Sequence, residues 1–485
     1  MHIHFVGIKG TGMAALVEIL YSRGAVITGS DVSERFYTDD ILDKLHLKAL
    51  PFNSANITGD IQYVIYSSAY NPEKNPDLIE AGKRGIPCML YTEALGSVSE
   101  TAYSCSVCGV HGKTTTTGLI GTLLKQLNFP AQVLAGSVIT SFGDSCTMTT
   151  PACSAVGHKY FIAETCEYQR HFLAFCPKKI VLTSIESDHQ DCYPTYADIR
   201  DAFVTYICKL PEKGQLIYCA DDKGACEAAM LVREKRPDIR LVPYGEQAEG
   251  AYHLVFGTVS DGQQHFTLDG LGVPLAICVP GRHMVRNAAA ACALVCELLK
   301  TEGTRVDAQA IGSGLLLFSG GKRRSEIIGR SVTPGGNSVI FVDDYGHHPT
   351  AIKTTLAGYR EFYAGRKIIV DFMSHTYSRT AALLDDFAHA FDSADMIILH
   401  KIYASAREKA SDFSITGIDL YTRAKKYYKN VYYFEEVMDA EHFVIDELSQ
   451  PAGSAFPAGY IFVTMGAGDN WKLGKAVFEK LEAEK

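Results

Sequence analysis

The segment best suited to chemistry is GVHGKT, in which Gly109 and Gly112 frame a loop followed by Lys113 and Thr114. The common phosphate-binding loop reads G-x-x-x-x-G-K-[ST], so the loop in this chain is two residues shorter. Backbone N–H groups of such a loop and the dipole of the following helix favour an anion. Lys113 would reach the outer phosphates and Thr114 would bind Mg²⁺. A plain glycine turn before a helix with a solvated lysine remains the alternative.

Acidic side chains follow two apolar runs of the strand type. The run YFIAE ends at Glu164 and is followed by Glu167. The run KIVLTSI ends in a polar cluster that comprises Glu186, Asp188, His189 and Asp191. Ligands of parallel sheets bind at the carboxyl ends of the strands, so these acids are expected to meet the glycine loop there. That arrangement suits Mg²⁺–nucleotide chemistry, although each acid taken alone is as readily a solvated loop residue.

Polar residues in the second half of the chain are further candidates. His283 and Asn287 lie one turn apart on a predicted apolar helix, a spacing that fits a cap and a surface amide as well as a site. Later strand-like runs end in polar groups, namely Asp343, Asp344, Tyr345, His347 and His348, then His375 and Arg379, and finally Asp469.

A second glycine turn lies near the N-terminus. Gly7, Gly10 and Gly12 are spaced GxxGxG rather than GxGxxG, which makes the match to a nicotinamide-dinucleotide site weak. A phosphate at the following helix N-terminus remains reasonable. Asp31 ends the next strand-like run, where an acid often lies near a ribose, and Ser68 follows a third run.

Strand and helix patterns alternate along the whole chain and predict an α/β protein. We expect three domains: a Rossmann-like domain over 1–98, a central P-loop ATPase-type parallel sheet over 99–321, and a second Rossmann-like domain over 322–485. The length of 485 residues fits three domains of about 150 residues each.

Composition narrows the class of protein. The net charge of −9 with scattered Lys and Arg argues against nucleic acid or an anionic membrane as the main partner. No apolar run reaches the roughly 18 residues of a membrane span, and no export signal is evident at the N-terminus. We therefore expect a cytoplasmic protein whose 14 cysteines are reduced, with Cys105 and Cys108 packed in a core rather than bound to metal.

The segments together resemble the Mur ligase family over nearly the whole chain. They are HFVGIKGTGM, GVHGKTTTT, AETCEYQRHFL, SIESDHQD, VPGRHMVRNAAAA, GGKRRSE, DDYGHHPT, HTYSRT and GAGDNWKLG. The resemblance implies that ATP phosphorylates the lactyl carboxylate of UDP-N-acetylmuramate and that the amine of L-alanine attacks the acyl phosphate. The product amide would serve peptidoglycan precursor synthesis, and with it cell-wall growth, cell shape and division. The enzyme would be a monomer or a homodimer.

The resemblance also assigns roles by matched position. The ATP loop comprises Gly109, Val110, His111, Gly112, Lys113, Thr114 and Thr115. The residues that would bind Mg²⁺ are Thr114, Glu164 and His189, and Mn²⁺ is expected to substitute for this ion. His283 and Asn287 would lie near the adenine, and Arg324 and Asp344 would lie near the ribose and phosphates. The alanine side comprises Tyr345, His375 and Arg379. The residues that would bind the UDP part of the substrate are Gly10, Thr11, Gly12, Met13, Asp31 and Ser68. The predicted catalytic set is Lys113, Glu164, His189, His347 and Arg379.

Three positions depart from the family pattern. Met284 stands where asparagine is usual, and Ser325 where an aromatic residue follows the paired arginines. Arg200 replaces any lysine in the stretch where several sister ligases carry a carbamylated one, as expected of the alanine-adding branch. A murein tripeptide ligase, which adds a whole peptide to the same sugar, is the alternative within the family. Two alternatives from other functional classes are a nicotinamide-dependent oxidoreductase and an inactive binding homologue.

Overall fold

A computed structural model of the chain describes residues 1–36, 38–153, 157, 159–190, 192–404, 408 and 410–483. Asp191, one member of the predicted acidic cluster, lies outside these residues. Strands and helices alternate throughout and form four sheets, which confirms the α/β prediction. Within the described residues, no helix combines the length and apolar character needed to cross a membrane.

The first sheet has four parallel strands in the order β2-β1-β3-β4. Its strands are β1 (His2–Val6), β2 (Val26–Ser30), β3 (Tyr63–Tyr66) and β4 (Cys88–Leu90). Its helices are α1 (Thr11–Ser22), α2 (Asp39–Lys44), α3 (Pro76–Lys83) and α4 (Tyr91–Glu100). The glycine turn between β1 and α1 therefore sits at the carboxyl edge of a parallel sheet.

The central sheet has seven strands in the order β11-β10-β9-β5-β8-β6-β7, and β7 alone among them runs antiparallel to its neighbour. The strands are β5 (Tyr103–Cys108), β6 (Ala131–Ile139), β7 (Ser145–Thr149), β8 (Tyr160–Glu164), β9 (Lys179–Leu182), β10 (Gln215–Cys219) and β11 (Arg240–Tyr244). The helices are α5 (Lys113–Gln126), α6 (Tyr196–Ile207), α7 (Lys223–Lys235) and α8 (Arg282–Thr301). The strand before the glycine loop, β5, thus lies between the two strands that carry the predicted acids.

A small antiparallel sheet, which the sequence patterns did not predict, precedes α8. It comprises β12 (Leu254–Ser260), β13 (Gln263–Leu268) and β14 (Leu275–Ile277), and α9 (Ala308–Leu316) follows α8. In its edge strand β12 the apolar residues Leu254, Val255 and Phe256 are consecutive, so the strand lacks the period-two alternation that would have indicated it.

The last sheet has six strands in the order β15-β16-β20-β17-β18-β19, and β15 is antiparallel to β16. The strands are β15 (Glu326–Val332), β16 (Ser338–Asp344), β17 (Arg366–Phe372), β18 (Met396–Leu399), β19 (Val431–Tyr433) and β20 (Gly459–Met465). The helices are α10 (Pro349–Phe362), α11 (Tyr377–Ala382), α12 (Leu384–Ala388), α13 (Gly417–Ala424), α14 (Glu441–Ser449) and α15 (Trp471–Ala483). Alternate residues of β16 enter two separate buried clusters, so helices cover both faces of this sheet.

The first and central sheets are joined by one buried apolar cluster. Arg23 of α1 donates a hydrogen bond to Gln132 of β6 at 2.8 Å, and the α-carbon of Gly96 in α4 lies directly against the backbone of Ala174. Each large sheet falls within one of the three predicted domain ranges, but the predicted boundary between 98 and 99 cuts through α4. The exact division into domains stays a prediction.

Candidate active site

The glycine loop lies between β5 and the start of α5 and needs both of its glycines. Gly109 and Gly112 have φ angles of 135° and 82°, in the region that residues with a side chain rarely adopt. A Cβ on Gly112 would lie 2.5 Å from Asn287 Oδ1, and a Cβ on Gly109 would collide with the Thr183 hydroxyl. The loop therefore presents its backbone at the N-terminus of a 14-residue helix, which favours an anion.

This loop forms one wall of a cavity of about 560 Å³ between the central and last sheets. The cavity gathers most predicted site residues, namely Val110, His111, Gly112, Lys113, Thr114, Thr115, Glu164, His189, His283, Asn287, Arg324, Asp344, Tyr345, His347, His375 and Arg379. Gly109 and the six predicted UDP residues are not among its lining residues. Its volume is typical of a pocket for a molecule of nucleotide size.

Lys113 is held by a buried carboxylate. Its Nζ lies 2.9 Å from Glu167 and donates to the Gly109 carbonyl at 2.6 Å. Burial by itself opposes the charge, but Glu167 outweighs it and raises the pKa of Lys113 above its ordinary value. Burial likewise acts to raise the pKa of Glu167, yet Lys113 and His189 lower it overall. The pair is therefore charged, and the ammonium is prepared for an anionic ligand.

The predicted metal residues fall into two contacting pairs. The Thr114 hydroxyl donates to Glu164 Oε1 at 3.0 Å, and the other oxygen of Glu164 accepts from the Gly136 N–H at 2.6 Å. His189 Nε2 lies 3.5 Å from Glu167. Glu164 is thus beside Thr114 because β8 pairs in register with β5, whereas His189 lies near Glu167 and, at 3.8 Å, Asp188. The oxygens of Thr114 and Glu164 are the kind that Mg²⁺ prefers, so these residues fit that ion.

An ion pair joins the loop after β9 to the last domain. Arg379 donates through Nη2 and Nε to Asp188 Oδ1 at 2.8 and 3.2 Å, and through Nη1 to the His375 carbonyl at 2.9 Å. Both side chains are buried. Burial alone would raise the pKa of Asp188, but Arg379 holds it well below the usual range. The guanidinium predicted to face the amino acid is therefore fixed by the central domain.

Three rings form the wall beside Arg379. The Tyr345 and His347 rings lie 5.0 Å apart, and those of His347 and His375 lie 6.4 Å apart. Burial and nearby Arg379 lower the pKa of both histidines, that of His375 to about 4. Both imidazoles are consequently neutral near pH 7.

The cavity wall also carries the residues predicted to bind the nucleotide. Burial lowers the pKa of His283 to about 4, and Nδ1 of its ring has no hydrogen-bond partner among the described residues. Met284 is buried and lines the same wall, so the position where asparagine is usual offers an apolar contact here. The Arg324 guanidinium lies 5.2 Å above the Tyr345 ring.

Asp344 is buried and receives N–H groups from Ser325 at 2.7 Å and Gly346 at 2.8 Å. Burial raises the pKa of its carboxyl above the ordinary value in spite of these contacts. The Ser325 hydroxyl accepts from Tyr359 at 2.9 Å, a contact that the usual aromatic residue at this position could not make.

The N-terminal glycine turn is closed by an acid and a tyrosine. Asp31 accepts from the Lys9 N–H at 2.7 Å and from the Tyr70 hydroxyl at 2.8 Å. Gly12 allows Tyr91 to pack against α1, since a Cβ there would lie 2.8 Å from that ring, and Met13 is buried in the core. The side chain of Met13 is thus a packing residue, and any contact it makes with a ligand is through the backbone.

Several residues of the site received no role from the sequence. Glu167, Glu186 and Asp188 were visible as acids after strands, and His348 adjoins the predicted His347. Their partners lie far along the chain, from 54 positions between Lys113 and Glu167 to 191 between Asp188 and Arg379, and leave no local pattern. Tyr70 has no sequence signal, because it reaches Asp31 only through the fold.

Comparison with known proteins gives three family models in chain order. The Mur ligase family catalytic domain matches residues 2–103, the Mur ligase middle domain 107–295, and the Mur ligase glutamate ligase domain 323–468.

Full-length relatives agree with these models. The UDP-N-acetylmuramate--L-alanine ligase of Treponema pallidum (strain Nichols) is 47% identical over 99% of this chain and 97% of its own length. That of Borreliella burgdorferi is 35% identical over 97% of both. Among solved structures, the UDP-N-acetylmuramate-alanine ligase of Thermotoga maritima superposes with a TM-score of 0.75 at 23% identity, covering 100% of both chains. A murein peptide ligase from Psychrobacter arcticus gives 0.63 at 20% identity, covering 99% of this chain and 98% of its own. Both solved structures have the same fold as this chain.

Proposed function

This chain belongs to the Mur ligase family, and on that premise we propose that it uses ATP to join L-alanine to UDP-N-acetylmuramate through an amide bond. The observation that carries the proposal is the 47% identity to alanine-adding ligases over 99% of the chain. The product is a precursor of peptidoglycan. Membership of this family argues against a nicotinamide-dependent oxidoreductase, as does the GxxGxG spacing of the first turn.

The chemistry explains the need for ATP. A carboxylate is a poor acyl donor because its leaving group would be oxide. Transfer of the γ-phosphoryl group to the lactyl carboxylate creates an acyl phosphate with a good leaving group, and so divides one difficult step into two easier ones. The alanine amine then attacks the carbonyl carbon, and collapse of the tetrahedral intermediate releases phosphate.

Within this scheme, the loop 109–115 binds the triphosphate through backbone N–H groups and Lys113. The Lys113–Glu167 pair supports this role, since Glu167 keeps the ammonium charged inside the cavity. Phosphoryl transfer depends on positioned positive charge rather than on covalent catalysis by the protein.

Thr114 and Glu164 would hold Mg²⁺, with His189 as a further ligand. The 3.0 Å contact between the two oxygens supports a shared ion. When bound, the ion neutralises the phosphate oxygens and orients them. A histidine ligand suits Mn²⁺ better than Mg²⁺, so Mn²⁺ is expected to replace it.

Arg379 would orient L-alanine by its carboxylate. A guanidinium has five N–H donors, and its three contacts with Asp188 and His375 leave donors on Nη1 and Nη2 for the substrate. Tyr345 and His375 would limit the space for the side chain, with the neutral ring of His347, a member of the predicted catalytic set, beside them.

The first domain would bind the UDP moiety at the turn that comprises Gly10, Thr11, Gly12 and Met13, with Asp31 and Ser68 nearby. Asp31 is already positioned by Lys9 and Tyr70, which supports a preformed turn. We place the reaction in the cytoplasm, where ATP is available and where all 14 free cysteines stay reduced, and expect a monomer or a homodimer.

The direct test measures phosphate release from ATP in the presence of UDP-N-acetylmuramate, with and without L-alanine, together with the mass of the product. We expect release that depends on both substrates and a product heavier by one alanyl residue. Release without amide formation, or no release with either substrate, would contradict the proposal.

A further inference from the structure

A cluster of three side chains lies where the glycine loop meets the last domain. His111 belongs to the loop, Glu186 follows β9, and His348 precedes α10. One ligand atom from each of the three lies within 4.8 Å of the others. The reaction described above uses the backbone of His111 and gives no role to Glu186 or His348.

Backbone contacts hold the loop that carries His111, and a helix-capping contact holds the side chain of His348. The His111 N–H donates to the Ser184 hydroxyl at 2.9 Å, and its carbonyl accepts from the Thr183 hydroxyl. His348 caps α10 by accepting the Thr350 N–H at 3.4 Å. Three separate parts of the fold therefore converge before any ligand arrives.

Glu186 is the centre of the cluster. Its Oε1 contacts His111 Nε2 and lies 3.3 Å from His348 Nδ1, while Oε2 accepts from the Thr350 hydroxyl at 3.1 Å. The two imidazole rings are neighbours, with centroids 5.2 Å apart and ring planes tilted by 48°. One carboxylate oxygen thus lies between two imidazole nitrogens, as it would around a shared ion.

His348 cannot satisfy both of its neighbours as a neutral ring. Nδ1 must be unprotonated to accept from Thr350, yet the same nitrogen lies near the carboxylate oxygen of Glu186, which is also an acceptor. Its other nitrogen, Nε2, is buried and has no hydrogen-bond partner among the described residues. A cation that accepts lone pairs from both Nδ1 and Oε1 would satisfy these two facing acceptors, and the long 3.4 Å contact of Nδ1 with the Thr350 N–H would then be given up.

We propose that His111, Glu186 and His348 form a binding site for a divalent transition-metal ion, distinct from the Mg²⁺ position at Thr114 and Glu164. Two imidazoles and one carboxylate suit Zn²⁺, Mn²⁺ or Co²⁺, whereas Mg²⁺ prefers oxygen ligands. Three protein ligands leave a coordination position open to water or to a phosphate oxygen in the cavity. The ion would join the glycine loop of the central domain to the last domain.

The test uses the full-length protein, stripped with a chelator and free of nucleotide, titrated with Co²⁺ while its visible d–d absorption is recorded. We expect a saturable spectrum of one bound ion. His111→Ala, Glu186→Gln and His348→Ala should each weaken binding by at least about tenfold, since even residues that only support metal ligands are worth about 10–100-fold.

Two control variants locate the ion. His253→Ala removes a partly exposed histidine that pairs with Asp269 elsewhere in the chain and should leave the titration unchanged. Glu164→Gln alters the Mg²⁺ position and should also leave it unchanged. A spectrum that is lost in Glu164→Gln or His189→Ala but kept in the three cluster variants would overturn the proposal, as would the absence of saturable binding by the wild type.

A second measurement does not depend on how the variants fold. Wild-type crystals soaked in Zn²⁺ should give an anomalous peak about 2.0–2.2 Å from one atom of each of the three side chains. A zinc peak elsewhere, or none, would refute the site. Neither measurement uses ligation activity, so a failure here leaves the proposed reaction untouched.

Discussion

Arg379 and Asp188 form a buried ion pair at 2.8 Å that connects the last domain to the loop after β9 of the central sheet. The residues stand 191 positions apart in the chain and share no local element. Because Arg379 also donates to the His375 carbonyl, the pair fixes the orientation of two residues proposed to face L-alanine.

We expect Asp188→Asn to lower kcat/KM for L-alanine by at least tenfold, about 1.4 kcal/mol, mainly through KM, because Arg379 loses its charged partner. Loss of one member of a buried pair should also lower the free energy of unfolding, by up to about 3–5 kcal/mol. Steady-state kinetics and chemical denaturation measure the two effects. Asp201→Asn, which breaks the surface pair with Arg200, is the control. An unchanged KM for L-alanine would show that Asp188 does not position Arg379.

Lys113→Ala should reduce ligation by at least about 10²–10³-fold, since it removes a positioned positive charge from the phosphate loop. The same change leaves Glu167 buried without its partner, so the double variant Lys113→Ala/Glu167→Gln should recover stability but not activity. Lys125→Ala, at the exposed end of the same helix, should behave as wild type. Near-normal turnover in folded Lys113→Ala would remove the phosphate-loop assignment.

Ligation should require a divalent ion, and Mn²⁺ should support it in place of Mg²⁺. His189→Ala should raise the ion concentration needed for half-maximal rate, because the site loses its nitrogen ligand. Titration of Mg²⁺ and Mn²⁺ at saturating ATP measures the shift, with His253→Ala as the control. If the two titration curves coincide, His189 has only a structural role beside Glu167.

L-Alanine should be the preferred acceptor. Glycine lacks the methyl group and should lose about 1–3 kcal/mol, roughly 10–200-fold in kcat/KM, while L-serine should be only modestly disfavoured. A tripeptide has an amide in place of the carboxylate that would pair with the Arg379 guanidinium, so it should be nearly inert as an acceptor. The comparison is kcat/KM at saturating ATP and UDP-N-acetylmuramate. A tripeptide that equals L-alanine would make this chain a murein tripeptide ligase.

Stability should depend on pH through a buried histidine of the last domain. His400 Nε2 lies 2.6 Å from Asp371, and Asn470 donates to the other oxygen of the same carboxylate. Burial opposes the charge on His400, but Asp371 outweighs it and raises its pKa above the ordinary value. The stabilising effect is therefore complete below about pH 6.5, the value in the unfolded chain, and is lost as pH rises through the higher folded value.

Chemical denaturation across this pH range checks the prediction. The free energy of unfolding of the wild type should fall as the pH rises. That of His400→Gln should lack this fall and change with pH only through the groups that both proteins share. His442→Gln, on an exposed position of α14, is the control. Parallel curves for wild type and His400→Gln would contradict the assignment.

Sequence alone predicted the alternation of strands and helices and the position of the glycine loop, because both depend on local patterns. Apolar runs separated by helical periodicity predicted the parallel sheets, and the positive φ angles of Gly109 and Gly112 follow from residues that tolerate them. Family motifs then named about half of the residues that line the cavity.

Tertiary structure alone decided the partners of those residues. Lys113 pairs with Glu167, Arg379 with Asp188, and Glu186 with two histidines from different domains, although each of these side chains was visible in the sequence. The physical reason is that a charge buried in a cavity must be matched by a neighbour in space, and sequence patterns report neighbours only within an element. Strand order, which sets β5 between β8 and β9, brings Lys113 near Glu167, whereas contact between the central and last domains brings Arg379 to Asp188 and His348 to Glu186.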